Sequence, residues 1–125
     1  MHRTLPLLIL PFVAACAQAV DSNPAPVEPA ATVLGAAQTC IPVVQIRTSR
    51  VRSDRVIDFE MTGSKVYRNT LPMSCPNLGF EQRFSYKTTT GQLCSIDTIT
   101  VLPSGSSIPG PTCGLGKFQP VTIAR

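Results

Sequence analysis

The cysteines constrain the fold of this chain more than any other feature of its sequence. There are five, and Cys16 directly follows an N-terminal apolar run. Zinc sites use closely spaced cysteine pairs, often with histidine, but successive later cysteines lie at least 19 residues apart and the only histidine is His2. An even number of cysteines in a short chain from an oxidising compartment is typical of disulfides. The sequence therefore predicts two disulfides and no metal site, with all three pairings open, among Cys40, Cys75, Cys94 and Cys113.

Residues 1–15 have the pattern of a signal peptide. A positive start at Arg3 precedes an apolar stretch over residues 5–12 and a small-residue cleavage site. The apolar stretch is far below the roughly 20 residues that a membrane-spanning helix needs. Val13-Ala14-Ala15-Cys16 resembles a bacterial lipobox. That resemblance implies that Cys16 is acylated and becomes the first mature residue; the alternative is an ordinary cleaved signal peptide in which Cys16 is incidental.

Residues 16–39 are predicted to be a lipidated N-terminus followed by a disordered tether. This stretch is rich in alanine, contains Pro24, Pro26 and Pro29, and lacks aromatic residues. Such a composition cannot bury enough apolar surface to fold by itself. We therefore expect a disulfide-stabilised domain over residues 40–125.

The domain is predicted to be all-β, a small antiparallel β-barrel or sandwich of about six short strands. Alternating apolar residues and turn signals recur along it. The clearest hairpin joins residues 56–61 to 65–71, with Asp58 and Glu60 on the outer, solvated face beside Arg50, Arg52 and Arg68. A change of parity near Asp97 predicts a β-bulge there. The predicted strands cover residues 41–51, 56–61, 65–71, 78–90, 93–102 and 118–123.

Several short motifs in the domain occur together in one order. As a set they resemble a family of small exported proteobacterial proteins of unknown function. The resemblance implies a compact β-domain in the cell envelope and brings no catalytic or binding residues. The motifs are Cys40-Ile41-Pro42, Ile57-Asp58-Phe59, Tyr67-Arg68-Asn69, Leu71-Pro72, Cys75-Pro76-Asn77-Leu78, Leu93-Cys94-Ser95-Ile96-Asp97 and Cys113-Gly114-Leu115-Gly116.

The predicted domain is basic and contains a cluster of arginines. These arginines are candidate anion-facing residues. Strand alternation places the second and third of them on the face opposite to the first and fourth, unless a β-bulge realigns them. The alternative is a basic, solvated face that keeps the domain soluble. Export argues against nucleic acid as the partner, and leaves lipid or lipopolysaccharide phosphates and peptidoglycan carboxylates. The cluster consists of Arg47, Arg50, Arg52 and Arg55.

The sequence favours a non-catalytic protein without a cofactor. No histidine follows Cys16, and histidine is the commonest acid–base group at neutral pH. Disulfide formation would also remove the thiolate nucleophiles. The alternative is a small hydrolase-like enzyme that uses Asp97 with Asn69 or Tyr67.

These features predict an envelope lipoprotein whose lipid anchors a periplasm-facing domain. Ala17 follows the lipid cysteine, in place of the aspartate that retains many enteric lipoproteins in the inner membrane, so the outer membrane is favoured. The predicted role is a binding or structural accessory module with an envelope protein or glycan as its partner.

Overall fold

The computed structural model describes Thr4, Pro6 and residues 28–123. The rest of the predicted signal peptide, Cys16 and the predicted tether up to residue 27 lie outside the described residues. Ten strands and one short helix follow one another in the order β1 (Ala31–Val33), β2 (Cys40–Pro42), β3 (Ile46–Val51), β4 (Val56–Met61), β5 (Val66–Thr70), α1 (Leu78–Glu81), β6 (Phe84–Ser85), β7 (Gln92–Cys94), β8 (Thr98–Val101), β9 (Thr112–Gly114) and β10 (Phe118–Ile123).

The strands form three antiparallel sheets. The largest has the order β1-β10-β5-β4-β3, while β2 pairs with β7 and β6-β8-β9 form the third. The all-β, antiparallel prediction is therefore confirmed. The barrel alternative is wrong, because the described strands divide among three sheets and form no closed barrel. The estimate of six strands is also too low, since two predicted strands are each split by a turn and two strands, β1 and β9, were not predicted.

One hydrophobic core connects the three sheets. Phe59 and Phe118 lie at its centre with no exposed surface, and their ring centroids are 5.6 Å apart in an edge-to-face arrangement. Other members of the core come from β2, β7 and β8, among them Ile41, Leu93 and Ile99. The core therefore lies between one face of the five-stranded sheet and the two smaller sheets.

The predicted hairpin is confirmed, and the apolar residues Ile57, Phe59 and Met61 of its first strand belong to the core. β4 and β5 pair antiparallel, with Phe59 opposite Tyr67 and Ile57 opposite Asn69. The connection is a single 3₁₀ turn over Thr62–Ser64, in which Gly63 has a φ of 78°. A positive φ of this kind favours glycine, so the local sequence matches the turn.

The predicted strand over residues 78–90 is wrong for most of its length. Leu78–Glu81 form one helical turn, flanked by Asn77 and Gln82 in the left-handed region, and only Phe84–Ser85 pair as a strand. The alternating aromatic pattern misled the prediction because Phe80, one of its apolar positions, is exposed rather than buried.

Two other predicted strands are each divided in two. Residues 93–102 contribute to β7 and β8, which belong to different sheets, so the parity change near Asp97 marks a turn and not a bulge. Residues 41–51 likewise divide at the 3₁₀ turn Val43–Gln45.

The five-stranded sheet includes residues from the stretch predicted as tether. Ala31–Val33 pair with Val121–Ile123 of β10, although β1 has no fully buried residue. Composition favoured disorder because the segment buries little surface. The structure holds it instead through backbone pairing to an otherwise open sheet edge.

Two disulfides connect the smaller sheets and the loops, Cys40–Cys94 and Cys75–Cys113. The first joins directly opposed residues of β2 and β7. The second ties the segment before α1 to β9. The bridges span 54 and 38 residues, for which the loop-entropy relation gives a stabilisation of about 4 kcal/mol each.

Peptide mapping without reduction tests this pairing. Trypsin alone leaves Cys94 and Cys113 on one peptide, because no lysine or arginine separates them. Asp-N cleavage before Asp97 divides that peptide. We expect peptide 88–96 linked to the peptide that ends at Arg47, and peptide 69–83 linked to peptide 97–117. A linkage between peptides 69–83 and 88–96 would contradict the fold.

Candidate functional site

The five-stranded sheet has a second face, opposite the core, which we call the outer face. Strand pairing places Arg50, Asp58 and Arg68 side by side on it, on β3, β4 and β5. Val56 and Val121 are only 5% and 4% exposed, yet neither belongs to the core cluster. The outer face is therefore partly covered and mixes charged with apolar side chains.

Asp58 is the most constrained charged residue of the outer face. Its carboxylate has no exposed surface and accepts three hydrogen bonds from two arginines. Arg68 donates through Nε to Oδ1 at 2.8 Å and through Nη2 to Oδ2 at 2.9 Å, and Arg52 donates through Nε to Oδ2 at 2.9 Å. The predicted cross-strand pairing is thus present, but the expectation that Asp58 is solvated is wrong.

The two arginines compensate the buried negative charge of Asp58. Bidentate arginine–carboxylate pairs are among the stronger hydrogen-bonded contacts in proteins. Removing one partner of a buried pair is costly because the other charge stays buried. The three charges therefore connect β4 to β5 and to the turn that follows β3.

Arg68 stays charged throughout the physiological pH range. Hydrogen bonding to Asp58 raises the pKa of Arg68 above its usual value, and the charges of Asp58 and Glu28 add to this effect, while burial opposes it. A raised pKa gives stability that is fully present below the unfolded value and is lost only as the pH rises through the folded value. Titration of Arg68 therefore does not affect the fold near neutrality.

Arg50 and Glu60 form a second, more exposed ion pair on the same face. Their Nε and Oε1 atoms are 2.6 Å apart, and the two side chains are 55% and 33% exposed. Exposed pairs of this kind contribute about 1 kcal/mol at most. Arg50 is therefore held only weakly by Glu60.

An open groove of about 1020 Å³ runs along this part of the sheet. Its described lining contains four cations and one carboxylate, Glu60. Within the described part of the chain, no ion pair involves Arg47 or Lys65. Apolar side chains such as Val66 and Val121 complete the lining, so the groove is basic with an apolar part. The cations are Arg47, Arg50, Arg52 and Lys65.

The structure brings three of the four predicted arginines to this groove. The register of β3 against β4 shifts between Ile46 and Thr48, which makes Arg47 the extra residue of a bulge. This irregularity places Arg47 beside Arg50 and Arg52, whereas strict alternation would place it on the opposite face of the sheet. Arg55 is used differently, because its guanidinium donates to the carbonyl oxygens of Leu71 and Pro72 at 2.8 and 3.2 Å.

Lys65 is the cation of the groove that the sequence analysis missed. The Met61 amide donates to the Lys65 carbonyl at 2.7 Å, and Met61 lies opposite Ile46. The hairpin register therefore places Lys65 and Arg47 at the same end of the sheet. Lys65 could have been identified from the sequence if β3 had been aligned with the hairpin in this register.

The alternative hypothesis of a hydrolase-like enzyme relied on Asp97 with Asn69 or Tyr67. The Asp97 carboxylate accepts a hydrogen bond of 2.7 Å from the Cys94 amide and thereby closes the turn between β7 and β8. Asn69 is fully buried and exchanges two hydrogen bonds with the Gly116 backbone, at 2.7 and 2.8 Å. Tyr67 lines the groove, whereas Asp97 is not among the described residues that line it.

Two further observations concern metals and membranes. Among residues 28–123, Thr4 and Pro6, no group of three or more histidine, cysteine or acidic side chains is arranged to hold a metal ion. In the same described residues, no helix is long and apolar enough to cross a membrane. The predicted lipid site, Cys16, lies outside them.

No family model matches this sequence, and no curated protein or solved structure matches it either. The resemblance to small exported proteobacterial proteins stays a prediction. The functional assignment therefore rests on the groove, the disulfides and the N-terminal sequence.

Proposed function

We propose that this chain is a lipid-anchored binding module of the bacterial cell envelope, without catalytic activity. Its ligand is a carboxylate-bearing envelope glycan of the peptidoglycan type. The basic groove on the five-stranded sheet is the observation that carries this proposal.

The charges of the groove suit a polymer with spaced carboxylates. Arg47 and Lys65 lie outside every ion pair of the described residues, and Arg50 is held only by the part-exposed Glu60. An open groove with several cations matches a repeated weak anion better than a single buried ligand. Leu34, which is 62% exposed, and the half-buried Val66 offer apolar surface on which sugar rings and short peptide stems can pack.

The compartment follows from the disulfides and the N-terminal sequence together. Two disulfides in a small domain are typical of an oxidising, non-cytoplasmic location. The lipobox-like Val13-Ala14-Ala15-Cys16 supplies the anchor, and several acyl chains hold a protein on a membrane far more firmly than one chain. Ala17 after the lipid cysteine favours the outer membrane.

Intact mass spectrometry of the mature chain tests the anchor. We expect a polypeptide that begins at Cys16, carries acyl chains on that residue and lacks four hydrogens for the two disulfides. In a Cys16→Ser variant the acyl mass should disappear. A mature chain that retains residues 1–15, or that starts at Cys16 without acyl mass, would contradict the proposal.

Co-sedimentation with isolated peptidoglycan tests the groove. The Arg47→Ala/Lys65→Ala variant should bind about tenfold more weakly, if each lost contact contributes about 0.7 kcal/mol. The matched control is Arg83→Ala/Lys87→Ala, which removes two exposed basic side chains outside the groove and should bind like the unaltered chain. Equal binding of both variants, or no binding by the unaltered chain, would reject the groove as a glycan site.

A further inference from the structure

Several large apolar side chains are exposed on this domain, and two of them, Met73 and Phe80, belong to a segment that is bound to one end of the five-stranded sheet. Met73, Phe80 and Ile108 are 77%, 85% and 74% exposed. The end in question is the β3–β4 turn, residues 52–55, which we call the turn end. The contacts below tie the segment that carries Met73 and Phe80 to the turn end, and tie the loop that carries Ile108 to the end of α1.

The segment that carries Met73 and Phe80 is bound to the turn end by backbone contacts. The Cys75 amide donates to the Asp54 carbonyl at 2.7 Å, and the Gly79 amide donates to Asp54 Oδ1 at 2.7 Å. A Cβ on Gly79 would lie 3.0 Å from that Asp54 oxygen, so the approach is close. Met73 and Phe80, each within two residues of these contacts, are therefore held at this end.

The loop that carries Ile108 is tied to the same region. The Ser104 amide donates to Glu81 Oε2 at 2.9 Å, and the Leu102 amide donates to the Arg83 carbonyl at 3.0 Å. Glu81 is the last residue of α1, directly after Phe80. Ile108 thus belongs to a loop that begins beside the exposed Phe80.

The N-terminal part of the chain also reaches the domain at the turn end. Ser53 Oγ donates to Glu28 Oε1 at 3.0 Å, and Glu28 is the first residue of the continuous described stretch. Eleven residues separate Cys16 from Glu28, and this connection can span at most about 40 Å when fully extended. A lipid on Cys16 would therefore keep the turn end near the bilayer.

We propose that the turn end contacts the bilayer surface, with Phe80 and Met73 inserted at the boundary between headgroups and acyl chains. This inference rests on the proposed lipid anchor and adds a second, orienting contact to it. Exposed apolar side chains grouped at one end mark an interaction surface. The short connection to the anchor identifies the bilayer as its occupant. The orientation of the groove relative to the bilayer would then be set by the contact at the turn end and not by a free tether.

A single tryptophan placed at this end tests the insertion. The chain contains no tryptophan, so Phe80→Trp introduces a unique fluorophore at an exposed aromatic position. The matched control is Val44→Trp, at a residue 88% exposed in the 3₁₀ turn before β3. That turn lies at the opposite end of the six-residue strand β3, about 20 Å from the turn end.

Both variants are prepared as the full lipidated chain and reconstituted into vesicles whose acyl chains carry bromine near the headgroups. Insertion by about 5–10 Å should reduce the fluorescence of the Phe80→Trp variant at least about twofold relative to unbrominated vesicles. The Val44→Trp variant should change little. The disulfide map confirms that each variant has folded.

Flotation of the same samples separates the two proposals. Chains that do not float with the vesicles contradict the lipid anchor and, with it, the orienting contact. Chains that float but show no quenching for Phe80→Trp, or equal quenching for both variants, overturn the orienting contact and leave the anchor intact.

Discussion

Asp58 is a carboxylate with no exposed surface, and the arrangement of the five-stranded sheet depends on how its charge is compensated. Arg68 and Arg52 reach it from the two neighbouring segments, and both arginines remain partly exposed. A buried carboxylate is tolerated only with such partners. The resulting triplet connects β4 to β5 and to the turn after β3, and it forms part of one wall of the groove, since Arg52 also lines that groove.

Strand β4 therefore has different roles on its two sides. Ile57, Phe59 and Met61 contribute to the core, whereas Asp58 and Glu60 organise the basic outer face. Because the domain is small, its core alone offers limited stability, and the two disulfides reinforce the smaller sheets and loops. The outer face of the large sheet carries the basic groove.

The sequence predicted the parts of the fold that depend on local pattern. The β4–β5 hairpin and the strand at Phe118–Ile123 follow from alternation and turn residues. Residues 78–90 could not be predicted in this way, because Gly79 packs against Asp54 through a contact distant in sequence. The choice among the three possible disulfide pairings likewise depends on which strands meet. Strands β2 and β7, which one disulfide joins, are 50 residues apart in the chain.

The candidate site was only partly predictable for the same reason. The arginine cluster was visible in the sequence, but its alignment depends on the bulge at Arg47, and the burial of Asp58 depends on segments that cover the outer face. Local alternation correctly identified the face of Asp58 and Glu60. It could not show that Asp58 is buried and Glu60 partly exposed.

The free energy of unfolding of two matched variants, measured by urea denaturation, tests the role of Asp58 most directly. Asp58→Asn keeps the side-chain shape but removes the charge between two arginines, and should cost about 3–5 kcal/mol. Glu60→Gln makes the same chemical change in the exposed pair on the same strand, and should cost less than about 1 kcal/mol. Equal, small losses in both variants would show that the Asp58 triplet does not hold the sheet.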